Sequence, residues 1–302
     1  GTHSISADGT TVSKGVVVRG VTGDPQDVAL QPRNVTYHSC VWSITLNNEG
    51  AILRDLTVAG KDGGNSCALR LNVNGGTATN CVIRDGMSNN ASAYGAAVYL
   101  CGEKSLLTHC VITNNYQGGD HGDYDGNNIV HATKGRVSNC LFINNRIKKS
   151  SSGTLGILSC QGDSVADNCT VVSNSVVAQG FHVRATGSGV LANTIVAHNA
   201  KDGALACVIP NGTYRNCLTD GTEPVGEKGR VAAAADIFAD LANFDWHLSS
   251  KALGVAINRG TEDFGKDLPA VDLDGNPRKV GPRVDIGCYE SPIQPGLMML
   301  VR

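Results

Sequence analysis

Large rings are scarce in this chain, with five Phe, two Trp and seven Tyr in 302 residues. A core short of aromatics must be filled by aliphatic side chains, which suits many short strands and turns better than a helical enzyme. Surplus charge of one sign is also missing. Twenty-five Lys and Arg stand against twenty-seven Asp and Glu, for a formal net charge of −2 and a pI near 6.5. That balance argues against nucleic acid as a partner and offers no pull toward an anionic membrane. No uninterrupted apolar run reaches about 18 residues, so no membrane span is expected. There is no GxSxG, HExxH, phosphate-binding loop or dinucleotide fingerprint, which removes the commoner nucleophile and nucleotide chemistries. Gly1-Thr2-His3 does not read as a leader, and a targeting segment is expected to have been removed ahead of it.

What the chain does have is Gly (37), Cys (11) and a repeat. Five segments share one frame: Thr79 to Ile83, Thr108 to Ile112, Ser138 to Phe142, Asp167 to Val171 and Arg215 to Leu218. Two more, Arg54 to Val58 and Ala192 to Val196, fit once the central Cys is replaced. The column Leu56, Cys81, Cys110, Cys140, Cys169, Thr194, Cys217 advances by 25, 29, 30, 29, 25 and 23 residues. A second column, Ile44, Leu69, Val98, Ile129, Ile157, Phe181, Val208, precedes it by 12, 12, 12, 11, 12, 13 and 9. Two strands and the turn between them are fixed while the return connection accepts insertions, which is how a solenoid coil behaves. The period is too short for propeller blades and lacks leucine-rich spacing, so a parallel β-helix is indicated. Asn114, Asn115, Asn144, Asn145, Asn174 and Asn199 sit where a strand must turn, as does the column Asn80, His109, Asn139, Asn168, Asn193, Asn216. Asn tolerates left-handed backbone and can bond along the stack.

The expected architecture is therefore all-β, a solenoid of seven to nine coils, with coils over residues 1–220 and a C-terminal capping region of the same domain over 221–302. Within the cap, Val231 to Ala235 with Phe238, Leu241 and Phe244 reads as a short helix. The N-terminal residues read as already internal to a coil, so a cover for that end is expected upstream. Eleven Cys cannot all pair within the chain. Five occupy one inward column, where parallel side chains cannot reach disulfide torsions, so a buried file of free thiols is expected. No CxxC pair is present, which speaks against zinc. Thiols kept free in a secreted protein would point to a low-oxygen habitat.

The frame resembles the right-handed parallel β-helix repeats of the pectin-lyase-like superfamily. Gly95-Ala96-Ala97-Val98 and Phe142-Ile143-Asn144-Asn145 are similar to the two short signatures of polymorphic outer-membrane proteins. Asp272-Leu273-Asp274-Gly275-Asn276-Pro277-Arg278, Gly281 and Val284-Asp285-Ile286-Gly287-Cys288-Tyr289-Glu290 resemble the closing motif of bacterial surface β-helices of the choice-of-anchor Q type. Phe244 to Leu248 and Ala252 to Gly260 are similar to the segments that lead into it. Cys288 stands where that motif has a small residue such as Ala. The resemblance implies a secreted or cell-surface bacterial protein and fixes no reaction.

Three places could carry chemistry. On the outward face of the earlier strand, Arg70, Tyr99, His182 and, at its edge, Arg184 and Asn72 could bind a glycan, an aromatic ring stacking on a sugar and Arg pairing with a uronate. Val130, Leu158 and Ile209 are expected to interrupt that face, and His131 to point inward. The long connection holding Asp120, His121, Asp123 and Asp125 offers oxygen ligands for calcium, the one cofactor the sequence suggests, although the distal Glu of an EF-hand loop is missing. Asp272, Asp274, Arg278 and Asp285 read as a structural network of charges and turns. The expected function is non-catalytic glycan or host-surface binding by an adhesin-like monomer. The alternative is a polysaccharide lyase or glycoside hydrolase of acidic polysaccharides, with Arg184, His182 and Asp123 as its catalytic candidates.

Overall fold

The computed structural model describes residues 1–32, 41–61, 66–88, 95–118, 128–148, 155–177 and 180–293. Among them the regular structure is almost all β, with about 3% of residues helical, and it winds as a parallel β-solenoid of about six turns, fewer than the seven to nine coils expected. Strands stack into a 16-stranded, a 7-stranded and a 6-stranded sheet. The seven-stranded sheet runs Thr10–Val12, Val41–Leu46, Ser66–Leu71, Gly95–Leu100, Asn128–Ala132, Gly156–Cys160, Phe181–Ala185, each strand parallel to the next. The long sheet holds the Cys-centred repeats and bends at the Cys-containing corner. Ile52–Ala59 and Gly76–Arg84 cross that corner as single strands, while later coils break there into two. No helix among the described residues is long and apolar enough to cross a membrane.

Two stacks of polar residues make the corners, each for a different physical reason. At the first, Asp55, Asn80, His109, Asn139, Asn168, Asn193 and Asn216 all take positive φ, between 47° and 59°. At the second, Asp85, Asn114, Asn144, Ser173 and His198 do the same. The residues that follow, Asn115, Asn145, Asn174 and Asn199, are buried and form a ladder. Each of the first three amides donates to the Oδ1 of the next, at 3.0, 3.0 and 3.1 Å. Each also donates to the carbonyl two residues back in its own coil and to one in the preceding coil, as Asn145 does to Ile143 O and Ile112 O. No buried amide in the ladder lacks a partner, which matters because an orphan would cost about 1–3 kcal/mol.

The inward thiols behave as expected and add a role. Cys81, Cys110, Cys140, Cys169 and Cys217 are buried and unpaired. Each donates to the carbonyl oxygen two residues before it, from 3.1 Å at Cys110 to 3.7 Å at Cys217. Thr194 makes the same bond at 2.9 Å. The column thus selects a small side chain with a donor, which is why Thr can replace Cys there. Cys67, outside this column, is in a disulfide.

The coil continues past residue 220, for Arg230–Val231 pairs in parallel with Leu218–Thr219. The helix that follows is one turn, Ala234–Ile237, and Phe238 already belongs to a hairpin with Asp245–Leu248. From there the chain folds back along the flank. Ile237, Phe238, Trp246, Leu248, Ile257 and Ile286 pack on Leu141, Val172, Ile195 and Leu218, the outward side chains of the long sheet. The segment from Asp272 to Glu290 is clamped by buried charges. Arg278 Nη2 donates to Asn168 Oδ1 and to the carbonyls of Asp285 and Gly287. Asp272 accepts from the backbone of Asp274, Asn276 and Glu290, and Asp285 from Asn258 and Ser291. Cys288 is fully buried, with its N–H on Thr170 Oγ1.

Candidate ligand-binding face

The seven-stranded sheet presents a single file of residues that the register fixes. Thr45 pairs with Arg70, Arg70 with Tyr99, Tyr99 with His131, His131 with Ser159, and Ser159 with Arg184. Two expectations are corrected here. Val130 and Leu158 do not interrupt the face: Val130 pairs with Val98 and Leu158 with Val130, and both are fully buried. His131 is not an inward residue but the neighbour of Tyr99. The cause is turn length. From the end of this sheet to the paired positions Thr77, Leu106, Arg136, Val165 and Val190 of the next, the chain spends residues 72–76, 101–105, 133–135, 161–164 and 186–189, so five, five, three, four and four. A register shift between Gly95 and Val98 adds to this. An alignment holding the offset near 12 slips by one residue, and one residue exchanges the two faces of a strand.

The file is aromatic and cationic in its first half. The Trp42 and Tyr99 rings stack at 6.3 Å, Tyr99 meets His131 edge-on at 5.7 Å, and the Arg70 guanidinium lies 5.7 Å from the Tyr99 centroid. Trp42, Arg70, Tyr99 and Arg184 are half-buried, whereas His131 and Ser159 are buried. Asn128 positions the imidazole. Its Oδ1 accepts the Gly156 N–H at 2.8 Å, which sets the amide so that Nδ2 donates to His131 Nδ1 at 3.1 Å. With Nδ1 accepting, a neutral ring has its hydrogen on Nε2. Arg70 Nε and Ser159 Oγ are buried without a hydrogen-bond partner, and Arg70 has no carboxylate partner among the described residues. Burial lowers the pKa of Arg184 from its ordinary value.

His182 does not join this file. Its ring is fully buried, with Nε2 on the Ala200 carbonyl at 3.1 Å and Nδ1 accepting from Val208 N at 3.0 Å. Burial pushes its pKa down to about 4, so it serves as a neutral structural strut. Asn72 Oδ1 accepts the Cys101 thiol at 3.5 Å. Asp120, Asp123 and Asp125 lie outside the described residues, and the calcium reading with them. At the C-terminal ends of the first strands a groove of about 790 Å³ runs past Asn47, Asn48, Asn74, Cys101, Lys104 and Lys134.

Trp42, His131 and Ser159 are the members that sequence reasoning missed. A signal existed in apolar–polar–apolar triplets: Ile44-Thr45-Leu46, Leu69-Arg70-Leu71, Val98-Tyr99-Leu100, Val130-His131-Ala132, Leu158-Ser159-Cys160 and Val183-Arg184-Ala185. Aligning these rather than counting residues gives the observed register. No protein-family model, curated protein or solved structure matches the chain.

Proposed function

We propose that the Arg70–Tyr99–His131–Ser159–Arg184 file binds an acidic glycan without cleaving it, on a protein displayed at or secreted from a bacterial surface. The observation that carries this reading is that, among the described residues, Arg70 has no carboxylate partner and the Ser159 hydroxyl no hydrogen-bond partner, in one file with a Trp42–Tyr99 stack. Stacked rings suit the apolar face of a sugar, and an Arg beside them can grip a uronate carboxylate through two parallel N–H bonds. Rungs about 4.8 Å apart lay these groups along an extended chain. Cleavage would need a base beside the proton or a pair of carboxylates. The described part of the file holds only hydroxyls, rings and cations, with His131 Nδ1 occupied by the Asn128 amide. The bacterial-surface setting rests on the resemblance of the segment from Asp272 to Glu290 to the choice-of-anchor Q closing motif and of the coils to pectin-lyase-like repeats.

Uronic-acid and neutral oligosaccharides of defined length, titrated calorimetrically and then assayed for new ends, test both halves. Saturable binding of the acidic series with no unsaturated or reducing ends released is expected. Tyr99→Ala is expected to weaken binding by about tenfold or more, the range for losing a ring stack and its cation contact. Turnover lost in Arg184→Gln would replace this reading with the lyase or hydrolase alternative.

A further inference from the structure

A second cationic site lies at the far end of the coil. Arg230 belongs to the last parallel rung, while Arg259 and Arg283 come from segments folded against that end. Arg230 Nη1 donates to the Arg259 carbonyl at 3.5 Å. Arg259 and Arg283 line a cavity of about 470 Å³ together with Leu253, Ile257, Asn258 and Pro282. No ion pair joins any of these three guanidiniums to a carboxylate among the described residues, and the acids of this region are committed elsewhere. Glu227 faces Arg215 and Lys228, Glu262 takes Lys279, and Asp285 accepts the backbone N–H groups of Asn258 and Ser291. Asn258 is buried, with its Oδ1 accepting from Arg283 N, and its Nδ2 has no hydrogen bond among the described residues. Burial, then the charges of Arg259 and Arg283, hold the Arg230 pKa below its ordinary value.

We propose that Arg230, Arg259 and Arg283, with the Asn258 amide, form a binding site for a doubly charged oxyanion of the sulfate or phosphate type. Arg259 and Arg283 on the cavity wall and Arg230 beside it repel one another until an anion offsets them, and guanidinium forks match the oxygen edges of a tetrahedral anion. The Asn258 Nδ2 group supplies a neutral donor from the cavity wall. The site is separate from the sheet face and does not depend on the glycan reading.

Calorimetric titration of the whole chain with inorganic sulfate and with inorganic phosphate, at constant ionic strength, tests the site. Saturable one-to-one heat is expected in the wild type and in Tyr99→Ala, with affinity about tenfold or more weaker in Arg259→Gln and Arg283→Gln. Both Arg residues are exposed, so without anion the two variants are expected to melt no lower than the wild type, because each removes one of three repelling charges. Absence of saturable heat in the wild type, or undiminished heat in both Arg variants, would overturn the site. A sulfated oligosaccharide and its desulfated form distinguish the sources. Binding of the sulfated form that is lost in Arg259→Gln assigns the site to an ester group, and binding of the inorganic ions alone assigns it to the free anion.

Discussion

Asn144 and Asn145 are neighbours that do opposite work. Asn144 is exposed and supplies a φ of 56°, while Asn145 is buried and both accepts from and donates to the adjoining rungs. Asn144→Ala is expected to cost roughly 1–2 kcal/mol, the left-handed penalty for a side chain that cannot bond locally. Asn145→Ala strands several buried partners and is expected to cost about 3 kcal/mol or more, measured by chemical denaturation. Two histidines separate by pH in the same residue-level way. His247 bonds Asp245 at 2.5 Å and Asp274 at 2.7 Å. Burial opposes its charge, but those carboxylates outweigh it and raise its pKa. Its contribution is therefore fully present below the unfolded value near 6.5 and fades as pH rises through the folded one. The melting-temperature gap between wild type and His247→Gln should be widest near pH 5.5 and close by pH 9. His182, pushed down to about 4, has the opposite sign and loses its contribution as pH falls from about 6.5 toward 4.

At the scale of elements, the flank segment depends on one close approach. Gly287 has a φ of 103°, and its N–H donates to the Asn193 carbonyl at 2.8 Å. A Cβ there would stand 2.7 Å from Ile195 Cδ1 and 3.0 Å from Thr170 Oγ1. Gly287→Ala is expected to cost about 2–3 kcal/mol and to expose the 234–291 segment to limited proteolysis before the coil itself. The corners of the coil were legible in the sequence, since Asn and Cys recur at the positions that need left-handed backbone and a small inward donor. The register of the seven-stranded sheet was not. Its strands carry no fixed marker such as Cys, and the turn after them changes from five residues to three, so counting from the Cys column put His131 on the wrong face. The flank was hidden for another reason. Outward residues such as Leu141 and Ile195 look like ordinary exposed strand positions until the segment that covers them is in view.

At the scale of the whole molecule, nine cysteines among the described residues are free thiols, and of these only Cys101 and Cys207 are half-buried rather than buried. Burial raises Cys207 to about 12, which leaves almost no thiolate near neutral pH. Among the described cysteines, a thiol reagent is therefore expected to label Cys101 alone in the native protein, and at least nine sites after denaturation, counted by mass. Rapid labelling of Cys110 or Cys140 in the native state would contradict the buried column. The same rigid stacking sets the Arg70–Tyr99–His131–Ser159–Arg184 file at regular intervals, and on that file the functional account rests. Trp42 stacks on Tyr99 within it, and the only other Trp, Trp246, sits in the flank. In a Trp246→Phe background, Trp42 fluorescence followed during titration with a uronic-acid oligosaccharide reads the face directly. A saturable change that disappears in Arg70→Gln and Tyr99→Ala is the predicted result, and a flat trace, or one that both substitutions leave intact, would contradict it.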